Sequence, residues 1–217
     1  MVIHSLGCVF VHIPKSAGSS IESFLLRQAG QAWERQDHRP IAEYLPVTPL
    51  DAVVGLRHRR PLLARKARNW MSGKPVLTKQ QDATYYKFAF VRNPWDRVVS
   101  WYRNVIRDPN HRRNLGITQA TSFENFLWEQ KANWALRSQL YWLTDCHGKI
   151  HMDFVGRFES LQRDFKVVCN TLGIPQDRLP PVLVSRQVDY REYFTHSTRN
   201  WIREWYRDEI DLFGYEF

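Results

Sequence analysis

The sequence predicts an α/β fold of three layers, a central parallel β-sheet flanked by helices, as a single domain over residues 1–217. Two observations carry this. Residues 8–13 and 85–91 are short apolar runs, each followed by a segment of helical period, and strands that alternate with helices build parallel sheets. Neither run alternates cleanly between apolar and polar, which is the pattern of a strand buried on both faces.

The elements follow in order. Pro14 ends the first strand, and Ile21, Phe24, Leu25 and Leu26 resume at helical spacing, so residues 18–20 open a helix. Residues 30–50, polar and carrying Pro40, Pro46 and Pro49, read as an irregular connection. A short strand over 51–55, a basic helix over 61–70 and a polar loop over 71–83 are expected next. Residues 85–91, aromatic and branched, form the clearest strand. Asn93 is a good N-cap, Pro94 suits the first helical position, and Asp96 favours the positive helix end. Val98, Trp101, Tyr102, Val105 and Ile106 give this helix its apolar face, with Asp96, Ser100, Arg103 and Arg107 on the other side.

A polar loop over 108–121, a helix over 122–134 and a strand over 152–158 follow. Leu161, Phe165, Val168 and Leu172 mark an amphipathic helix closed by Gly173. Residues 175–188 read as extended, and a last helix carries Ile202, Trp205, Tyr206, Ile210 and Phe213 on one stripe.

The net charge of +9 is spread along the chain. It favours anionic ligands, and its even spread weakens the case for a nucleic-acid-binding module. The three cysteines lack metal-ligand spacing, so neither a disulfide framework nor a metal site is expected. Cys8 and Cys169 read as core residues. The first strand begins too early for a signal peptide and no stretch is long enough to span a membrane, so a cytoplasmic chain is expected.

The first strand, loop and helix start form an anion site. Free N–H groups and the helix dipole point at whatever lies before the helix. Lys15 adds a positive charge, Ser16, Ser19 and Ser20 add hydroxyls, and Ala17 and Gly18 let the backbone approach closely. A phosphate or sulfate group is the expected occupant. A Walker A loop ends in its lysine, whereas Lys15 stands at the start of this loop, directly after Pro14.

His12-Ile13-Pro14-Lys15-Ser16-Ala17-Gly18-Ser19-Ser20 resembles the 5′-phosphosulfate loop of sulfotransferases, specifically the carbohydrate type. The run from Phe88 to Tyr102 resembles their 3′-phosphate segment, in which an arginine at the strand end and a serine two helical turns later hold the phosphate. Arg92 and Ser100 occupy those positions. Residues 153–174, 189–194 and 212–217 also resemble parts of the family, which leaves 30–80 and 108–150 as the stretches where an acceptor would be chosen.

The resemblance implies the family's P-loop-like fold. It also implies transfer of a sulfuryl group from 3′-phosphoadenosine 5′-phosphosulfate (PAPS) to an acceptor hydroxyl on a carbohydrate or glycoconjugate, without a metal. Positioning and electrostatics dominate such transfers. Lys15 would stabilise the leaving oxygen. Ser16, Ala17, Gly18, Ser19 and Ser20 would hold the 5′-phosphate, and Arg92 and Ser100 the 3′-phosphate. His58 matches a family histidine loosely and is the first candidate for the base, a role that suits imidazole. His38 is next, then Glu22 and Glu43. His12 reads as packed at the strand end, and Arg97 as structural, pairing with an acid beneath the site. Arg57, Arg59, Arg60, Arg65 and Lys66, with His111, Arg112 and Arg113, would face an anionic glycan or small-molecule acceptor. Among the tryptophans, Trp70, Trp101, Trp128, Trp134 and Trp142 are candidates for a stacking platform. The alternative enzyme is a P-loop nucleotide or small-molecule kinase.

Overall fold

The computed structural model describes residues 1–46, 60–74, 76–176, 179 and 189–217. The expected strand at 51–55, most of the extended stretch at 175–188, and Arg57, His58 and Arg59 lie outside the described residues.

Among the described residues, four strands form one sheet: β1 (Val2–Ile3), β2 (Cys8–Val11), β3 (Tyr86–Val91) and β4 (Phe154–Arg157). They lie in the order β1-β2-β3-β4. β2, β3 and β4 run parallel, with Phe10 opposite Phe88 and Phe90 opposite Gly156. The sheet is not wholly parallel, because β1 folds back antiparallel on β2 at the edge.

Side chains alternate across each strand, and both faces are covered. Cys8, Phe10, Phe88 and Phe90 pack with Ile21, Phe24 and Leu25 of α1 (Gly18–Gln28) and with Phe165, Val168 and Cys169 of α9 (Leu161–Leu172). Val9, Val11, Ala89 and Val91 pack on the other side with Trp95, Val98 and Val105 of α5 (Pro94–Arg107). The aromatic Phe90 is admitted beside β4 only because residue 156 is glycine. A Cβ there would come within 2.5 Å of its ring. Each large apolar side chain buried in this way contributes about 1.5–3 kcal/mol.

The remaining α-helices among the described residues are α2 (Ile41–Tyr44), α3 (Arg60–Met71), α4 (Lys79–Thr84), α6 (Pro109–Leu115), α7 (Phe123–Gln130), α8 (Leu140–Leu143), α10 (His196–Trp205) and α11 (Arg207–Phe213). Several differ from expectation. α2 interrupts the irregular connection over 30–50. The polar 71–83 stretch ends in α4, started by a capping box between Thr78 and Gln81. The 108–121 stretch holds α6, whose first turn is held by the Asp108 carboxylate accepting from the N–H groups of Asn110 and His111. α7 stops at Gln130 rather than 134. The last helix breaks at Tyr206, whose hydroxyl donates to the Leu136 carbonyl. Among the described residues, no helix is long and apolar enough to cross a membrane.

Candidate functional site

The site lies at the carboxyl ends of β2 and β3, the edge where ligands bind in open α/β sheets. β2 stops at Val11, and residues 12–17 turn sharply into α1. Lys15 and Ala17 both sit in the left-handed region, at φ 70° and 64°. That conformation costs an L-residue roughly 1–2 kcal/mol, and loops hold such strain where function requires the shape.

Ala17 occupies the N-cap position without a capping side chain. No described residue accepts from the N–H groups of Ala17, Gly18 or Ser19. The Ser16 hydroxyl is 1% exposed and has no hydrogen-bond partner among the described residues. An orphaned buried hydroxyl beside uncapped N–H groups is the donor set an oxyanion needs.

Beneath the loop, the His12 ring fills the space where a Gly18 side chain would stand; a Cβ there would come 1.8 Å from Cδ2. His12 Nδ1 lies 3.1 Å from Oε1 of the fully buried Glu22. Glu22 also accepts from the Asp37 N–H at 3.1 Å and from Trp33 Nε1 at 3.3 Å. His12 is therefore packed in the strand end and Glu22 is saturated.

Arg92 extends from the end of β3 to the same loop. Its Nε and Nη2 make a fork onto the Asp96 carboxylate at 2.8 Å each, and Nη1 donates to the Lys15 carbonyl at 2.9 Å. The guanidinium lies over the Phe158 ring, 3.9 Å from its centroid. Three of its five N–H groups are engaged, which leaves two. Ser100 follows Asp96 by one helical turn on α5 and is partly buried. Burial, with Arg92 and Arg107 nearby, pushes the Lys15 ammonium down to about 8. Arg107 lies two turns beyond Ser100 on the same face of α5, and its charge is among those acting on Lys15.

The other candidate bases stand differently. His38 Nδ1 donates to the His12 carbonyl at 3.0 Å, and Nε2 faces the Gln36 amide at 2.9 Å. Burial, with His12 next in effect, lowers its pKa to about 4, so it is neutral and a weak base. Glu43 is buried, ion-paired with Arg65 at 2.9 Å and bonded by Asn69 Nδ2 at 2.7 Å. Lys66, expected to face an acceptor, is buried and donates to the Leu45 carbonyl at 2.9 Å. Trp101 and Trp142 are core, whereas Trp70, Trp128 and Trp134 are exposed. Arg97 is fully buried, 4.0 Å from Glu209.

A cavity of about 400 Å³ adjoins the loop, with His38, Arg39, Arg65, Lys74, Trp134 and Arg137 among its walls. Gln36, also on its wall, donates to Ser19 Oγ at 2.5 Å and so ties the cavity to the first turn of α1. Among the described residues, no group of three His, Cys, Asp or Glu side chains is placed to hold a metal ion.

The model of the sulfotransferase family matches residues 1–216. Carbohydrate sulfotransferase 10 of Homo sapiens is 27% identical over 191 residues, covering 67% of this chain and 53% of its own. Its counterpart in Gallus gallus is 27% identical over 172 residues, covering 60% and 47%. The chain thus spans about half the length of these relatives. An uncharacterized protein of Archaeoglobus fulgidus is 31% identical over 126 residues, covering 57% of this chain and 96% of its own. A sulfotransferase structure from Alicyclobacillus acidocaldarius covers 96% of both chains at 20% identity, with a TM-score of 0.44.

Proposed function

The chain belongs to the sulfotransferase family, and from that premise we propose that it transfers a sulfuryl group from PAPS to an acceptor hydroxyl on a carbohydrate or glycoconjugate. The observation that carries the proposal is the meeting of the two motifs. Arg92, from the second strand–helix junction, donates to the backbone of Lys15 in the first, so one nucleotide can bridge both. The residues present fit such a donor. The Ser16 hydroxyl and the N–H groups of Ala17, Gly18 and Ser19, with Ser20 beside them in the first turn of α1, would hold its 5′-phosphate. The two remaining N–H groups of Arg92, with Ser100, would hold the 3′-phosphate. When bound, PAPS supplies the sulfuryl group and the nucleotide phosphate that departs from it.

Lys15 is the group we assign to the charge that develops on the departing phosphate oxygen. Preorganised cations in a partly dry site act strongly on such charge. For the base we retain His58, which the family resemblance indicates. His38, Glu22 and Glu43 are already committed to bonds within the fold. The cavity beside the loop is our candidate for the acceptor cleft. Its cations suit an anionic glycan or small molecule, and Trp134 offers a face for a sugar ring. The carbohydrate class is also supported by the printed names of the curated relatives.

Calorimetry tests the reading. Adenosine 3′,5′-bisphosphate should bind without added metal, and Arg92→Ala and Ser100→Ala should each weaken it about tenfold, as losing a charge-assisted phosphate contact would. Preference for ATP with magnesium over the bisphosphate would reverse the conclusion in favour of the kinase, which the family match does not favour. Loss of turnover in His58→Ala, with bisphosphate binding intact, is the result expected of the base.

A further inference from the structure

We infer that Gln139 is a positioning residue for the 3′-phosphate end of the donor site, acting through the main chain of Arg92 and held from behind by Glu209. The inference rests on the donor assignment above.

Arg92 is the point at which β3 ends, so its own N–H and C=O point away from the ladder and need partners. One side chain supplies both. Gln139 Oε1 accepts from the Arg92 N–H at 2.8 Å, and Gln139 Nε2 donates to the Arg92 carbonyl at 2.8 Å. These two bonds fix the amide's orientation, because a flipped amide would set donor against donor and acceptor against acceptor. The second Nε2 hydrogen goes to Glu209 Oε1 at 3.1 Å. Gln139 is fully buried, so every donor it has is satisfied without water.

Glu209, also fully buried, grips the same residue twice more. Its Oε2 accepts from the Gln139 N–H and from Ser138 Oγ, the latter at 2.7 Å. Its charge faces Arg97, whose Nη1 and Nη2 donate to the carbonyls of Ala135 and Arg137 at 3.0 and 2.8 Å. The segment carrying Gln139 is therefore held by a buried carboxylate on one side and a buried guanidinium on the other.

The division of labour around Arg92 follows. Asp96 orients the guanidinium and Gln139 fixes the backbone from which it springs. With the amide removed, the Arg92 N–H and C=O would be buried without partners, and the strand end would shift to find new ones. The guanidinium would then miss its phosphate, whereas the loop over residues 12–17 would lose only the Lys15 carbonyl's bond to Arg92 and keep its seat on the neighbouring strand. The loss should therefore be selective for ligands that carry a 3′-phosphate.

The test compares affinity for adenosine 3′,5′-bisphosphate and for adenosine 5′-monophosphate, by calorimetry, in the unaltered protein and in Gln139→Met. Methionine keeps the length and apolar volume and removes both amide groups. The ratio of the two affinities should fall about five- to tenfold, the loss expected when one or two hydrogen bonds fail, while monophosphate binding stays nearly constant. Glu209→Gln, which weakens the hold on Gln139 and leaves its amide in place, should shift the ratio the same way but less; it serves as the reading if Gln139→Met does not fold. A ratio unchanged in either folded variant, or affinities for both nucleotides lost in equal proportion, would overturn the inference. Equal affinity of the unaltered protein for the two nucleotides would instead sink the donor assignment, and this role with it.

Discussion

Replacing Gly18 by alanine should damage the protein far more than a single methyl suggests. The added Cβ would stand 1.8, 2.1 and 2.5 Å from Cδ2, Nε2 and Cγ of His12. Ordinary contact begins near 3.4 Å, so the ring or the helix start must move by roughly 1.6 Å. The ring has little freedom. It is 2% exposed, with Nδ1 3.1 Å from the Glu22 carboxylate and the His38 ring tilted against it at 4.1 Å between centroids. Overpacking of this kind costs about 1–3 kcal/mol, and displacing His12 withdraws one of the three groups around the buried Glu22 carboxylate, which adds about 1–3 kcal/mol. A net loss of about 3 kcal/mol is the central expectation, which for a chain of this size lowers Tm by about 6–12 °C. Thermal unfolding of Gly18→Ala measures it directly. The double variant with His12→Ala should be less destabilised than the two single changes added together, because the clash disappears with the ring. A Tm within about 2 °C of the unaltered protein, or strict additivity in the double variant, would refute the account of why residue 18 is glycine.

Two further outcomes follow from the loop. Ser16→Ala removes a buried hydroxyl that has no partner among the described residues, so stability should hold or rise by up to about 1 kcal/mol, while bisphosphate affinity falls about fivefold; denaturant unfolding and calorimetry on the same sample check both halves. Lys15, pushed down to about 8, is cationic below that value and neutral above it. The pH profile of kcat/KM should therefore fall on its alkaline side from near 8, and Lys15→Arg should move that limb upward. A limb unmoved by the substitution would assign the titration to another group.

Much of the fold was legible because it depends on local pattern. The aromatic run of β3 and the Asn93-Pro94 start of α5 each announce themselves within a few residues, and Asn93 does accept from the Trp95 N–H. What escaped had no periodic signal. β1 is two residues long, shorter than any alternation can reveal. α6 reads Pro-Asn-His-Arg-Arg-Asn-Leu, with no apolar stripe, and stands on the Asp108 cap instead. At the site, the strand-end lysine loop and the strand-end arginine each stand out in the sequence, and the sheet register places them side by side. The supports of Arg92 were not readable. Gln139 and Glu209 are far from it in sequence, and a glutamine before a short helix carries no mark of its partner. His38 next to Asp37 looked available as a base. Only the packed structure shows its Nδ1 already bonded to the His12 carbonyl.

The turn after Arg92 has a consequence for how the molecule comes into being. Besides Gln139, the Asn93 N–H donates to Glu159 and its side-chain amide to the Glu216 carbonyl, at 2.6 and 2.7 Å. A growing chain thus releases residues 12–20 from the ribosome long before it makes the groups that fasten the opposite half. Contacts so distant in sequence form slowly, and the proposed donor site should become competent only once residue 216 has been made, rather than accumulate along the way.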